Sequence, residues 1–319
     1  MNRELTYKVT EEEEGMKISD FLRKKGCSRH VIVHLKKTEN GILLNKEWAY
    51  VGQVLKANDQ LEIRILEEAS SEQIVPRQLP LDIIYEDEDL LVINKPADMP
   101  IHPSINNYDN TLANALMWYY QEKKEAFVYR CINRLDRDTT GLLIVAKNML
   151  SGGILSDMSK KREIHREYLA IAEGKVPEEG VIDAPIARKE ESVIERCVDF
   201  EKGDPAVTHY WRMDYRNGYS LVRLKLETGR THQIRVHMKY LGHPLTGDYL
   251  YNPDYRILDH QALHSWKLEF RHPITGEQMH FAAEPPWGTA MGTEFSGSLE
   301  PETPSPMAAR PNGTPLDVH

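Results

Sequence analysis

Cys131-Ile132-Asn133-Arg134-Leu135-Asp136-Arg137-Asp138-Thr139-Thr140-Gly141-Leu142-Leu143-Ile144-Val145-Ala146-Lys147 combines a charged loop with an apolar run. Gly141 to Ala146 carries no polar side chain. A short apolar run bounded by turn residues predicts a strand buried on both faces. That strand is central to its sheet, and the loop before it stands at the sheet's edge. A rigid strand end is a good place to hold a reactive group facing a cleft. The loop offers one: the carboxylate of Asp136, set between Arg134 and Arg137.

Further strands lie on both sides. Leu81-Asp82-Ile83-Ile84-Tyr85 and Leu90-Leu91-Val92-Ile93-Asn94 flank an acidic turn, and Lys95-Pro96 ends the second. Leu112 to Tyr120 predicts a helix, and Glu167 to Ala172 another strand. Val207 to Met213 and Tyr219 to Leu226 flank Asn217-Gly218, a strong hairpin signal. Thr228-Gly229-Arg230 opens a helix that starts near Thr231 and runs to Leu241, where Gly242-His243-Pro244 stops it. The expected fold class is α+β: a small ααβ unit, then a larger mixed, mostly antiparallel sheet with flanking helices.

The small unit is read at 15–68. Ile18, Phe21 and Leu22 share one helical face. Ser28 is placed to cap a second helix, with Ile32 and Leu35 on one side and Arg29, Lys36 and Lys37 on others. Ile42-Leu43-Leu44 and Leu61 to Ile65 read as strands. Residues 1–14 form an N-terminal segment, 69–80 a polar linker stiffened by Pro76 and Pro80, and 81–287 the large domain. The Gly, Ser, Thr and Pro of 288–319 predict a disordered tail.

The 319 residues suffice for two domains, and 40% apolar with 28% charged is ordinary globular composition. There is no membrane-spanning apolar run and no signal-peptide core, so a soluble cytoplasmic protein is expected. Cys27, Cys131 and Cys197 are far apart, which disfavours a disulfide framework or a cysteine zinc site. The net charge of −9 argues against a polyanionic partner, but its distribution does not. Gly15 to Leu66 holds ten Lys and Arg against five Asp and Glu, while acids cluster at 11–14 and 86–89. Local fields, not totals, steer a polyanion.

Three segments can carry chemistry. A carboxylate beside guanidinium groups is favoured in its charged form, and can serve as nucleophile or base. Arginines are also phosphate ligands. Taken alone, Arg134-Leu135-Asp136 is equally a turn or an ion pair. In Thr228 to Met238, a helix from Thr231 puts His232, Arg235 and Lys239 on one face, and its N-terminus with Arg230 and His232 is either an anion site or the solvated polar side of an amphipathic helix. The histidines do not have metal-ligand spacing: His232 and His237 are five apart, and no acid or cysteine completes a set. Tyr168, in Arg166-Glu167-Tyr168-Leu169-Ala170, is either a core strand residue or a ring for a base to stack on.

Together these segments resemble the RluA/RluD family of RNA pseudouridine synthases. Asn133 to Gly141 is similar to the family's His-Arg-Leu-Asp-x-x-Thr-Ser-Gly motif, with Asn133 in place of His and Thr140 in place of Ser. Arg166 to Ala170 is similar to its Lys-x-Tyr-x-Ala segment. Thr228 to His237 with Leu241 to Asp248 resembles its third motif, and Tyr85-Glu86-Asp87, Asn94-Lys95-Pro96 and His102-Pro103 its opening strands. The resemblance spans about Leu81 to Pro285. Lys17 to Leu66 is similar to the S4 RNA-binding module that often precedes this domain.

The resemblance implies isomerisation of uridine in RNA, without cofactor or metal. The N1–C1′ bond breaks and a C5–C1′ bond forms. It implies Asp136 as the central carboxylate, whether by capture at the base, at C1′, or by a route through sugar deprotonation. It implies Arg235 as the partner of Asp136, Tyr168 as the ring against the flipped base, and Arg134 as the side chain that fills the vacated stack. The S4-like segment, through Arg29, Lys36 and Lys37, supplies phosphate contacts. Ribosomal RNA is favoured, with transfer RNA as the alternative target, and the protein is expected to be a monomer. A non-catalytic ribosome-assembly factor and a small-substrate hydrolase are the rival readings.

Overall fold

A computed structural model describes residues 2–71, 73–252, 258–287 and 317–318. The small unit opens with β1 (Asn2–Lys8), then α1 (Ile18–Lys24), α2 (Arg29–Lys37), β2 (Ile42–Leu44), β3 (Glu47–Trp48) and β4 (Gln60–Leu66). Ser28 caps α2 by accepting from the Val31 amide, as the sequence suggests. Ile18, Phe21, Leu22, Val31, Ile32 and Leu35 bury one face of the helix pair against the sheet. The segment 1–14, read as lying outside this unit, supplies β1, which pairs antiparallel along all of β4. Its alternation (Arg3, Leu5 and Tyr7 buried) is that of a half-buried strand.

The large unit holds β5 (Ile83–Glu86), β6 (Leu90–Lys95), α3 (Leu112–Glu122), β7 (Thr140–Ala146), α4 (Met149–Lys160), β8 (His165–Glu173), β9 (Glu179–Asp183), β10 (Ile186–Arg188), β11 (Arg196–Val198), β12 (Val207–Arg216), β13 (Tyr219–Leu226), α5 (Gln233–Tyr240), β14 (Leu263–Arg271) and β15 (Gln278–Ala282). Its main sheet runs β5-β6-β7-β14-β8-β13-β12-β9, with β15 also on β14. Only β7 and β14 pair parallel there; every other pair is antiparallel. The mixed, mostly antiparallel α+β class is therefore observed.

Every residue of β7 is buried, as its apolar run predicts. Burial of Leu142, Leu143, Ile144 and Val145 is worth roughly 1.5–3 kcal/mol each. Gly141 is required for the close approach of β14: its φ is +104°, and an added Cβ would lie 2.4 Å from the Ser265 carbonyl oxygen. The β12–β13 hairpin turns at Asn217 (φ 50°) and Gly218 (φ 88°), both left-handed, as a type I′ turn demands.

The linker 69–80 is laid on the large unit rather than free of it. Ser70 Oγ accepts from the Phe127 amide and Ser71 Oγ from the Tyr129 amide, both at 3.1 Å. Ile74 and Leu79 pack against the main core. The small unit is also docked. Arg3 on β1 gives Asp89 two hydrogen bonds, at 3.1 and 2.9 Å, and Leu150 of α4 joins the small unit's core. The expected tail, 288–319, lies outside the described residues apart from Asp317–Val318, which run parallel to β1 as β16.

Candidate active site

A single cross-strand row sets the geometry. Lys95 on β6 pairs with Gly141 on β7, Gly141 with Ser265 on β14, and Ser265 with Tyr168 on β8. The loop carrying Asp136 enters β7 at this row and is pinned from three sides. Lys95 Nζ donates to the carbonyl oxygens of Arg137 (2.8 Å) and Pro96 (2.7 Å). Burial pushes the Lys95 pKa down to about 7, against the opposing pull of Asp138, Asp136 and Asp98. Asn133 Oδ1 accepts from the Ile144 amide at 2.9 Å, so the residue that replaces the motif's His braces the loop against β7. Gln261 Nε2 donates to Thr139 Oγ1 at 2.8 Å.

Thr140 donates to His264 Nδ1 at 2.7 Å, while His264 Nε2–H donates to the Ala283 carbonyl at 2.7 Å. The carbonyl can only accept, which fixes the neutral tautomer. Burial pushes the His264 pKa down to about 4.

The second component comes from α5. Arg235 and Asp136, 99 residues apart, meet: Nη1 donates to Asp136 Oδ2 at 3.2 Å. The Arg235 side chain is 2% exposed and that of Asp136 27%, so the acid faces solvent while its partner is buried behind it. Arg235 is held more tightly by another acid. Its Nε and Nη2 make a fork on Asp248, both bonds 2.7 Å. Burial alone would lower the Arg235 pKa, but Asp248 and Asp136 outweigh it and raise it above the ordinary value. Oδ1 of Asp136 has no hydrogen-bond partner among the described residues, so one oxygen is held and one is free.

His232 departs from the helical expectation. α5 begins at Gln233, and His232 sits before it at φ 58°, in the left-handed region. Gln233 causes this: its Oε1 accepts from Thr228 Oγ1 (2.8 Å) and the Arg230 amide (2.9 Å), folding 228–232 into a turn ahead of the helix. His232 is therefore the residue that caps the helix rather than a member of its first turn. Its Nε2 points at Asp136 Oδ2 from 3.9 Å.

The other sequence-chosen residues scatter. Tyr168 is 5% exposed and shares the main apolar cluster with Leu135, Ile234 and Met238. The Arg166 guanidinium lies 3.5 Å from its hydroxyl. Arg134 is exposed, with no hydrogen bond or ion pair among the described residues. Arg230 is engaged with Asp204 (3.3 Å) and the Pro205 carbonyl (3.1 Å). Arg29, Lys36 and Lys37 are exposed on α2 in the small unit, far from this cluster in the chain.

Sequence reasoning did not single out Lys95, Asp248 or Tyr251 as site residues. Asp248 carried a signal, an acid following Gly247, which has φ +70° and approaches the His260 carbonyl. Lys95 carried one too, a cation ending an apolar strand. Asp87, Asp89 and His272 are close enough together to suggest a metal site, but their donor atoms are used. His272 Nε2 donates to Asp87 at 2.9 Å, its Nδ1 accepts two amides, and Asp89 takes Arg3, Asn148 and Ser151.

Comparison with known proteins places the chain among related sequences and structures. The profile of a family described as RNA pseudouridylate synthase matches residues 89–240, which contain Asp136, Tyr168 and Arg235. An uncharacterized RNA pseudouridine synthase of Bacillus subtilis, YjbO, is 40% identical over 272 residues, covering 85% of this chain and 96% of its own. The ribosomal large subunit pseudouridine synthase D of Vibrio vulnificus is 39% identical over 307 residues, covering 89% of this chain and 91% of its own. Among solved structures, human RNA pseudouridylate synthase domain containing 1 aligns with a TM-score of 0.55 at 29% identity, over 65% of this chain and 84% of that one.

Proposed function

The chain belongs to the RNA pseudouridylate synthase family, and on that premise we propose that it isomerises uridines of large-subunit ribosomal RNA with Asp136 as the reacting carboxylate. The single observation that carries the residue assignment is the unequal treatment of the two Asp136 oxygens. Arg235 holds Oδ2 from a buried position, and Oδ1 has no partner among the described residues on a side chain partly open to solvent. An ionised, aimed oxygen is needed whether it captures the base, captures C1′ or takes a proton from the sugar.

The bond changes ask for little else. N1–C1′ breaks, C5–C1′ forms, C5 loses a proton and N1 gains one, so no electrons or energy enter from outside. Tyr168, in register with the row that ends at the Asp136 loop, is the ring against which the detached base turns. Arg134, exposed and in no ion pair among the described residues, enters the stack when the nucleotide leaves it, where unstacking costs about a few kcal/mol.

Residues 15–68 act as an S4-like RNA-binding module. Support comes from the paired helices on a small sheet and the exposed cations Arg29, Lys36 and Lys37. Such contacts position RNA without reading its sequence. The ribosomal substrate is favoured by the likeness to the Vibrio vulnificus enzyme. Among the described residues no helix is long and apolar enough to cross a membrane. The proposed setting is a monomer working on RNA in the cytoplasm.

Asp136→Asn tests the reading. The variant should fold, bind RNA and form no pseudouridine, measured as tritium release from RNA labelled at uridine C5. Release at the normal rate would remove Asp136 from the chemistry. Mapping pseudouridines in total RNA with and without the protein separates ribosomal from transfer RNA targets.

A further inference from the structure

The geometry points to His232 as a positioning residue for Asp136, with Tyr251 setting the proton it presents. The inference rests on Asp136 being the reacting carboxylate. Three contacts form a chain. The Arg196 amide on β11 donates to the Tyr251 hydroxyl oxygen at 2.8 Å. That hydroxyl lies 2.9 Å from His232 Nδ1. His232 Nε2 then faces Asp136 Oδ2 at 3.9 Å.

The direction of the protons follows. The Tyr251 oxygen already accepts from Arg196, and its own proton has His232 Nδ1 as its one acceptor among the described residues. With Nδ1 accepting, the neutral ring carries its proton on Nε2, the nitrogen aimed at Asp136. Burial lowers the His232 pKa, opposed by Asp136, which keeps the ring neutral and the tautomer meaningful. Burial also pushes the Tyr251 pKa up to about 12, so its hydroxyl keeps the proton it must donate.

At 3.9 Å the pair is too long for a hydrogen bond. A shift of about 1 Å on substrate entry closes it, and site hydrogen bonds commonly tighten in this way. Oδ2 would then hold two donors, Arg235 and His232, on one oxygen. The carboxylate could no longer rotate, and Oδ1 would stay toward the substrate. The left-handed backbone at His232 brings the ring to this place. Because Arg196 lies on the β10–β11 hairpin, that hairpin sets the tautomer from outside the catalytic loop.

Two measurements on the full-length protein decide the matter. Nitrogen-15 histidine labelling, with His232 assigned by its loss in His232→Gln, should report a neutral ring with hydrogen on Nε2. An imidazolium, or hydrogen on Nδ1, would overturn the inference without any assay of activity.

Kinetics supply the second readout. His232→Leu should lower kcat about tenfold or more with KM within about threefold, because orientation is lost and binding is not. His232→Gln, which can present an N–H near the same point, should recover most of it, and Tyr251→Phe should fall between. An unchanged kcat, or a rise in KM alone, refutes the positioning role. A failure of the Asp136 reading looks different: Asp136→Asn would retain activity.

Discussion

Arg235 is bound to Asp248 by two hydrogen bonds of 2.7 Å and to Asp136 by one of 3.2 Å. The buried fork is the anchor, and the contact with the exposed acid is what the anchor makes available. A guanidinium fixed in this way cannot follow the Asp136 carboxylate if it moves. It defines where that carboxylate must be.

Asp248→Asn should therefore cost far more stability than Asp136→Asn. Removing one partner of a fully buried pair costs about 3–5 kcal/mol, whereas a contact with a partly exposed acid is worth about 1 kcal/mol or less. Asp248 is 0% exposed and Asp136 27%. Urea unfolding of both variants makes the comparison. Equal midpoints would mean that the fork is not the anchor.

His264 predicts an acid limit to stability. Its folded pKa is depressed to about 4 from 6.5 by burial. Between those values the unfolded chain binds a proton that the folded protein refuses. Stability from this group is complete above about pH 6.5 and lost as pH falls toward 4, by on the order of 3 kcal/mol. In His264→Gln that part of the pH slope should vanish. Parallel urea curves for the two proteins from pH 7 to 4 would contradict the assignment.

Replacing Arg29, Lys36 and Lys37 together by Ala should weaken RNA binding and flatten its salt dependence, with no change in tritium release at saturating RNA. Each lost phosphate contact reduces the slope of log K against log salt by about 0.7 for single strands and about 0.9 for duplex. All three side chains are exposed and free of ion pairs among the described residues. A salt slope identical to that of the parent protein would take α2 out of the interface.

Much of the fold was legible because its signals are local. The all-apolar Leu142 to Val145, the left-handed pair Asn217-Gly218 and the Ser28 cap each act within a few residues, and each appears as read. Two local readings failed for reasons that are also physical. The 1–14 segment was read as lying outside the small unit, yet Asn2–Lys8 alternates in burial once β4 lies beside it. The helix was started two residues early because the Gln233 side chain, rather than Thr231, organises its entry.

The chain by itself singled out the groups proposed to carry the chemistry: Asp136 in its arginine-flanked loop, Arg235 in a basic amphipathic stretch, Tyr168 in a strand. Hydrophobic period and motif spacing are properties of neighbouring residues, and they survive without a fold. Tertiary structure alone decided that Arg235 belongs first to Asp248, that one Asp136 oxygen is left free, and that His232 turns toward it with Tyr251 behind. Those facts depend on segments about 100 residues apart meeting at one sheet edge. Which donor reaches which oxygen is settled by distances of a few tenths of an ångström that no local pattern encodes.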